Sequence, residues 1–348
     1  MRRNFLAAAI AILPAMGLAH PAFAEMKTIT DDLGRSVQIN VPIKRAVVFN
    51  PYNAEFFRGV GGANVIVGID QEPADIKGYW PNIGADAIAG VWNQPNFEKI
   101  VALKPEVFIM PRNYPWENAA EKLKPFNIPV VVVTGWDVPK LVSNISIVGE
   151  LLAEQKRAAQ LADFYTANMQ MLRDRLKGVK QRTVYLEKIR PLFTSIPGSG
   201  WHDMVAEGGG LNIFADVEIA KQPAERGTVH EFSIDAERIL TSNPDVIIKL
   251  SPGQYAPPEK AELETIAKSV AARPAWSTLK AAQQNEVHVV SFFAAGAVSK
   301  MIGSAYIAKA LYPDRFTDID PEALMRTWLT DFQSLPYLGK YSLSMNSR

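Results

Sequence analysis

The chain contains no cysteine among its 348 residues. It therefore has no thiol nucleophile, no disulfide, no Cys-ligated metal and no cysteine for a lipid anchor near its N-terminus. An excess of either charge is also missing, with 37 Lys+Arg against 36 Asp+Glu. The basic surface typical of nucleic-acid-binding proteins is thus not indicated. At about 150 residues per domain, the length indicates two domains.

Long apolar runs are scarce, and the longest, from Phe5 to Ala19, is shorter than the ~20 residues that span a bilayer. Arg2 and Arg3 precede it, and Ala22-Phe23-Ala24 is an A-x-A cleavage site. We predict a signal peptide over residues 1–24, cleaved after Ala24, and no membrane insertion. The arginine pair leaves the twin-arginine and the general secretory routes open. Losing two arginines would change the formal charge from +1 to −1.

Beyond Thr28, short β-rich runs alternate with longer helical patterns, which is typical of α/β units around parallel strands. The runs predict strands at residues 46–49, 65–67, 107–110, 130–133, 183–186, 246–248 and 287–290. Residues 139–178 show one helical pattern, and a continuous helix of ~38 residues would be about 57 Å long. We expect an N-terminal α/β lobe over 25–138, this connecting helix, and a C-terminal α/β lobe over 179–348.

Three short segments of the first lobe recur in the second, in the same order. They pair residues 44–49 with 181–186, 61–65 with 209–213, and 98–107 with 237–246. This predicts two Rossmann-like lobes of related topology, with a ligand cleft between them. Glu98 and Glu237 fall at the same place in the repeat, in the first turn of a helix, where the dipole favours a carboxylate. Helix stabilisation and contact with a basic partner are both open interpretations.

Several motifs together resemble one family over nearly the whole mature chain. They are Ile29-Thr30-Asp31-Asp32-Leu33-Gly34-Arg35, residues 44–48, residues 65–68, residues 96–105 and residues 209–215. The chain resembles the periplasmic substrate-binding proteins of ABC importers for iron–siderophores, cobalamin and related metal chelates. Their two lobes are joined by a single long helix. The resemblance implies a periplasmic monomer with modest lobe closure that delivers its cargo to a permease and its ATPase. It also implies that Glu98 and Glu237 dock onto permease arginines, one lobe to each subunit.

In such a fold, ligands contact loops at the carboxyl ends of strands and helix N-termini. Arginine binds carboxylate or oxyanion oxygens, and aromatic side chains supply flat apolar area. Each aromatic residue, taken singly, is equally well explained by packing within a lobe. The candidate ligand-binding residues are Tyr52, Arg112, Tyr114, Trp116, Trp136, Arg190, Trp201, His202, Arg226 and His230.

Histidines are few, since only His202, His230 and His288 remain after signal-peptide removal. A bare transition metal needs several His and carboxylate ligands, so we expect no directly held metal and no cofactor. His288 lies inside a predicted strand and is interpreted as structural. His202 or His230 could complete the coordination of a chelated metal, although a hydrogen-bonding role is favoured.

Enzyme motifs are weak. Ser199, His202 and Asp203 are close in sequence, but the members of a catalytic triad meet through the fold rather than through adjacency. The glycine run 208–210 lacks the Lys-Ser/Thr of a phosphate-binding loop. We therefore expect a binding protein and not an enzyme, with an exported hydrolase as the remote alternative. The preferred cargo is a ferric siderophore, and molybdate or tungstate, cobalamin and haem are the alternatives.

Overall fold

The structure is a computed structural model that describes residues 24–217 and 229–345. The predicted signal peptide, apart from Ala24, and the candidate Arg226 lie outside the described residues. Within these two ranges, every helix is too short or too polar to cross a bilayer.

The first half of the chain forms a small parallel sheet with surrounding helices. Its strands are β1 (Glu25–Thr30), β2 (Ser36–Val41), β3 (Ala46–Val48), β4 (Ile66–Ile69), β5 (Gly90–Val91), β6 (Gln94–Pro95), β7 (Val107–Met110) and β8 (Val130–Val132). Its helices are α1 (Pro51–Gly59), α2 (Gln71–Ala74), α3 (Phe97–Ala102), α4 (Trp116–Leu123), α5 (Leu141–Leu152) and α6 (Gln155–Arg175).

The second half repeats this arrangement. Its strands are β9 (Arg182–Glu187), β10 (Phe193–Thr194), β11 (Gly210–Asn212), β12 (Phe232–Ser233), β13 (Val246–Ser251), β14 (Val287–Ser291) and β15 (Ser342–Ser344). Its helices are α7 (Gly200–Glu207), α8 (Ala236–Ser242), α9 (Lys260–Ala271), α10 (Lys280–Gln283), α11 (Ser299–Leu311) and α12 (Pro321–Thr327), which continues into a π-helical turn at Trp328–Phe332.

The two main sheets share one strand order. The first runs β4-β3-β7-β8 and the second β11-β9-β13-β14, all parallel, with β15 added antiparallel at the second sheet's edge. Strands β7 and β13 are buried along their whole length, as parallel strands covered on both faces must be. The related topology predicted from the internal repeats is therefore confirmed.

The single continuous helix predicted over residues 139–178 is wrong. Helix α5 ends at Leu152, Ala153 takes a left-handed conformation with φ 56°, and α6 begins at Gln155. The two helices pack closely, because a Cβ on Gly149 would lie 2.5 Å from the Cβ of Ala158. The apolar pattern runs on through the break because both helices bury one face in the same core.

Helix α6 contacts both halves. It packs against α1 of the first half and against α7 and α11 of the second. Its 21 residues span about 32 Å, roughly half the length of the predicted continuous helix. The proposed lobe boundaries at residues 138 and 178 stay predictions. The halves also touch directly, since the Tyr79 and Phe293 rings lie 5.0 Å apart and Arg58 Nε donates to Gln333 Oε1 at 2.7 Å.

Candidate functional site

A cavity of about 230 Å³ lies between the two halves, at the carboxyl ends of β3 and β14. Tyr52 and Glu55 of α1 line it from the first half, and Phe292 and Phe293 line it from the second. The two halves approach closely, because a Cβ on Gly296 would lie 2.5 Å from the Tyr52 ring. The cleft predicted from the repeat thus lies where the strand-end loops meet.

Two buried lysines adjoin this cavity. Lys300, in the first turn of α11, is 5% exposed, and its Nζ donates to the Trp136 carbonyl at 3.2 Å across the gap between the halves. Lys188 directly follows β9 and is 1% exposed. Its Nζ lies 4.0 Å from the Trp201 ring centroid and 4.9 Å from that of Phe292. We call Lys188 and Lys300 the lysine pair.

Among the described residues, the carboxylates that act on the lysine pair are only partly buried or exposed. Lys188 Nζ lies 3.5 Å from Glu231, whose side chain is half exposed. Lys300 forms no ion pair within 4 Å with any residue that the structure describes. Burial lowers the pKa of each lysine to about 8, opposed at Lys188 by Glu231 and at Lys300 chiefly by Asp203. Two buried cations without a fully buried carboxylate beside them, within the part of the chain that the structure describes, favour an anionic ligand.

The N-terminus of α7 adds to this positive field. Ser199 is its N-cap, with Oγ accepting from the Trp201 N–H at 3.3 Å. Lys300 lies directly against this end, since a Cβ on Gly200 would collide with its Nζ. An ammonium at the positive end of a helix dipole is unfavourable unless an anion accompanies it. The helix terminus and Lys300 therefore favour the same kind of ligand.

His230 bonds Ser199, with Nδ1 and Oγ 2.8 Å apart. Burial first, and then the charges of Lys300 and Lys188, lower the His230 pKa to about 4. The imidazole is therefore neutral near pH 7 and acts as a hydrogen-bonding group. Since His230, and not His202, contacts Ser199, the sequence grouping of Ser199, His202 and Asp203 does not form a triad. So weak a base would contribute little to general-base catalysis.

The cavity lining itself is acidic. Glu55 is 5% exposed, and its Oε1 accepts a hydrogen bond from the Tyr79 hydroxyl at 2.9 Å. Its Oε2 has no hydrogen-bond partner among the residues described. Burial raises the Glu55 pKa to about 7, although Tyr79 and Arg58 oppose the shift. Two exposed carboxylates, Glu72 and Asp75, also line the cavity.

Some of the ligand-binding residues predicted from sequence lie at the cleft, and the others lie elsewhere in the two halves. Tyr52, Trp136, Trp201 and His230 line the cavity or contact the lysine pair or Ser199. The others lie in other surroundings: Tyr114 is buried against Trp92, Trp116 lies under Arg35, exposed Arg190 lies over Phe193, and His202 bonds Asn212 at 3.1 Å.

Arg112 is held within the first half. Its Nη1 forms ion pairs with Asp137 and, at 3.4 Å, with Asp32. Lys140 also contacts Asp32, at 3.2 Å. The positive charge that we expected Arg112 to offer a ligand is thus already balanced by carboxylates.

The lysine pair and Glu55 are the groups that sequence reasoning missed. Lys188 lies two residues before the candidate Arg190, and no local pattern distinguishes it from a surface lysine. Lys300 could have been noticed in the sequence, because it is the one charged residue in the first half of α11. This helix is buried on nearly every side. A lysine in a segment without any exposed face is costly unless it has a partner or a function.

Glu98 and Glu237 occupy equivalent exposed positions in the first turns of α3 and α8. The N-caps of these helices are other residues, since Asn96 Oδ1 accepts from Lys99 N and Asp235 Oδ1 accepts from Glu237 N. The glutamate side chains therefore do not cap these helices. Their docking role stays a prediction.

The described residues contain no cluster of three or more His, Cys, Asp or Glu suited to a metal ion. His288 is 2% exposed inside β14, bonded to Ser344 at 2.8 Å and to Glu286 at 3.0 Å. This agrees with its predicted structural role.

Comparison with known protein families matches residues 47–291 to the periplasmic binding proteins. The chain belongs to this family. The resemblance to binding proteins of ABC importers is thereby confirmed. Among curated periplasmic relatives, the molybdate-binding protein MolA of Haemophilus influenzae is 25% identical, over 92% of this chain and 94% of MolA. The vitamin B12-binding protein of Salmonella typhimurium is also 25% identical, over 59% of this chain and 71% of its own length.

Solved structures of periplasmic binding proteins share the fold. FepB from Veillonella parvula aligns with a TM-score of 0.75 at 22% identity, covering 92% of this chain and 99% of FepB. MolA of Haemophilus influenzae bound to molybdate aligns with a TM-score of 0.69 at 22% identity, covering 89% of this chain and 99% of MolA.

Proposed function

We propose that this periplasmic binding protein captures an anionic cargo in the cleft between its halves and delivers it to an ABC permease of the inner membrane. The lysine pair carries this proposal. Two nearly fully buried ammonium groups lie at the amino end of α7, and no described carboxylate beside them is fully buried. Such a site favours a ligand that supplies negative charge.

Two sources of this charge fit the same chemistry. One is a free oxyanion such as molybdate or tungstate, which is supported by the likeness to MolA over nearly the whole of both chains. The other is an anionic metal chelate, for which a ferric siderophore is the preferred candidate from sequence. Aromatic residues beside the lysine pair favour the chelate, because Tyr52, Trp201 and Phe292 offer apolar surface that a bare oxyanion does not need.

Calorimetric titration tests the proposal. The panel is sodium molybdate, sodium tungstate, a ferric catecholate siderophore, haem and neutral cyanocobalamin. We expect one anionic cargo to bind at submicromolar level. Replacing both Lys188 and Lys300 by Met should weaken that binding at least about thirtyfold, since loss of a buried charge contact costs roughly 2–5 kcal/mol. Exposed Lys122→Met is the control. Tight cyanocobalamin binding that both lysine substitutions leave unchanged would refute the anionic cargo.

Delivery is tested separately. We propose that Glu98 and Glu237 contact basic groups of the permease, one on each half. The double variant Glu98→Lys and Glu237→Lys should abolish cargo uptake in cells while leaving cargo affinity unchanged, because both side chains lie outside the cleft. Glu121→Lys is the matched control, because Glu121 is an exposed residue of α4. Normal uptake by the double variant would show that these glutamates do not dock.

A further inference from the structure

We propose that the cavity beside the lysine pair is a second subsite, which binds an alkylammonium group. It is lined by Glu55, Glu72 and Asp75 together with the aromatic rings of Tyr52, Phe292 and Phe293. This inference deepens the proposed function and rests on it for its biological meaning. A cargo that fills both subsites carries an acidic group and an amine.

Glu55 is the central group of this subsite. It is buried on α1, lines the cavity and leaves Oε2 without a hydrogen-bond partner among the described residues, while Oε1 accepts from Tyr79. Arg58, on the same helix, makes its contacts with other residues. Its Nε donates to Gln333, and its guanidinium lies between the Tyr79 ring at 4.1 Å and the Trp80 ring at 3.9 Å. Glu55 therefore has one buried acceptor atom that no described residue satisfies.

The lining selects an ammonium over other groups. Above the Glu55 pKa of about 7, three carboxylates would repel an anion, and an uncharged apolar group would leave Glu55 Oε2 unpaired. Aromatic faces attract a cation through their quadrupole, and Tyr52, Phe292 and Phe293 supply three such rings. Divalent metals prefer a shell of several oxygen ligands, and no cluster of metal-ligating side chains is found within residues 24–217 and 229–345.

The two subsites share aromatic rings. Lys300 Nζ lies 5.9 Å from the Tyr52 ring centroid, and Lys188 Nζ lies 4.9 Å from that of Phe292. Both rings also line the acidic cavity. Opposite charges thus adjoin the same two aromatic rings within one cleft, which suits an organic cargo with separated charges better than it suits a bare oxyanion.

Methyl NMR tests this inference directly, because Ile76 lines the cavity. Protein labelled at isoleucine δ1 methyls is titrated with n-butylammonium, 1-butanol and butyrate. We expect a saturable Ile76 shift with n-butylammonium, at a Kd at least about tenfold lower than for 1-butanol, which corresponds to ~1.4 kcal/mol. Butyrate should bind least. Glu55→Gln, which keeps an acceptor for Tyr79, should remove the preference for the ammonium, whereas exposed Glu121→Gln should retain it.

The outcome separates this inference from the proposed function. Equal Kd values for ammonium and alcohol, no Ile76 shift with n-butylammonium, or an undiminished preference in Glu55→Gln would each overturn it. If Glu55→Gln unfolds, the surface variant Glu72→Gln with Asp75→Asn replaces it and should reduce the preference at least about threefold. Anion binding that still depends on Lys188 and Lys300 in the same samples would leave the proposed function intact.

Discussion

Two neighbouring buried lysines in the second half differ in whether a buried carboxylate balances their charge. Lys249 and Lys188 are both nearly fully buried, and Lys249 Nζ even donates to the Lys188 carbonyl. Yet Lys249 pairs with buried Glu187 at 3.0 Å, and Arg273 binds the same carboxylate through two hydrogen bonds of 2.6 and 2.8 Å. Among the residues that the structure describes, the ion-pair partner of Lys188 is the half-exposed Glu231. The first lysine completes a structural network, and the second is available for a ligand.

The pKa values follow this difference. Burial alone would raise the pKa of Glu187, but Arg273 and Lys249 outweigh it and hold that pKa below its ordinary value. Burial lowers the pKa of Lys188 and of Lys300 to about 8, because their opposing partners are weak. Charge is thus satisfied within the protein at Glu187 and left unsatisfied at the lysine pair.

The largest effect should come from the structural network. Glu187→Gln would leave buried Lys249 and partly buried Arg273 without their shared carboxylate, which costs about 3–5 kcal/mol of unfolding free energy. Urea unfolding of the cargo-free protein measures this loss of unfolding free energy, and Glu121→Gln, at an exposed position, is the control. An unfolding free energy equal to wild type would remove the contrast between the two lysine environments.

A smaller effect of opposite sign is expected at the lysine pair. Replacing both lysines by Met should leave the cargo-free protein at least as stable as wild type at pH 7, since two buried ammonium groups are removed, and the only ion pair lost among the described residues is that of Lys188 with half-exposed Glu231. Their folded pKa of about 8 lies below the unfolded value of ~10.4. Their penalty is therefore complete below pH 8 and is relieved as pH rises above it.

Thermal unfolding at pH 7 and pH 9.5 checks this sign. The Tm advantage of the double variant over wild type should be larger at pH 7 and should shrink by pH 9.5. A double variant several degrees less stable than wild type at pH 7 would mean that the lysine pair is structural, like Lys249.

The smallest effect on cargo binding is expected at Arg112. Its charge is balanced by Asp32 and Asp137, so Arg112→Met should change cargo affinity by less than about threefold. Titration of this variant beside the Lys188→Met and Lys300→Met double variant compares a balanced with an unbalanced cation. A loss in Arg112→Met as large as in the double variant would contradict the comparison.

Most of the architecture could be predicted from local sequence patterns. The Val- and Ile-rich runs predicted the parallel strands because buried strands are apolar on both faces. The repeated segments predicted the shared topology because equivalent helices and strands need similar residues. The break at Ala153 escaped prediction because a left-handed residue between two helices needs no glycine or proline, and the apolar period continued across it.

The site was harder to predict, because it depends on contacts between distant segments. Strand-end loops brought Tyr52, Trp136, Trp201 and His230 to the cleft region, as the fold rule implies. Arginines were expected to supply the positive charge, but carboxylates balance Arg112 and Arg190 lies exposed over Phe193. The charge comes instead from lysines whose burial only the folded chain reveals.

The central claim, that the lysine pair binds the negative charge of the cargo, is tested most directly by proton uptake on binding. An anion beside Lys188 and Lys300 should raise their pKa from about 8. Calorimetry of the tightest-binding anion at pH 8, in two buffers of different ionisation enthalpy, should show roughly one proton taken up per cargo bound. The uptake should vanish at pH 6, where both lysines are already charged. Binding without proton uptake at pH 8 would contradict the account.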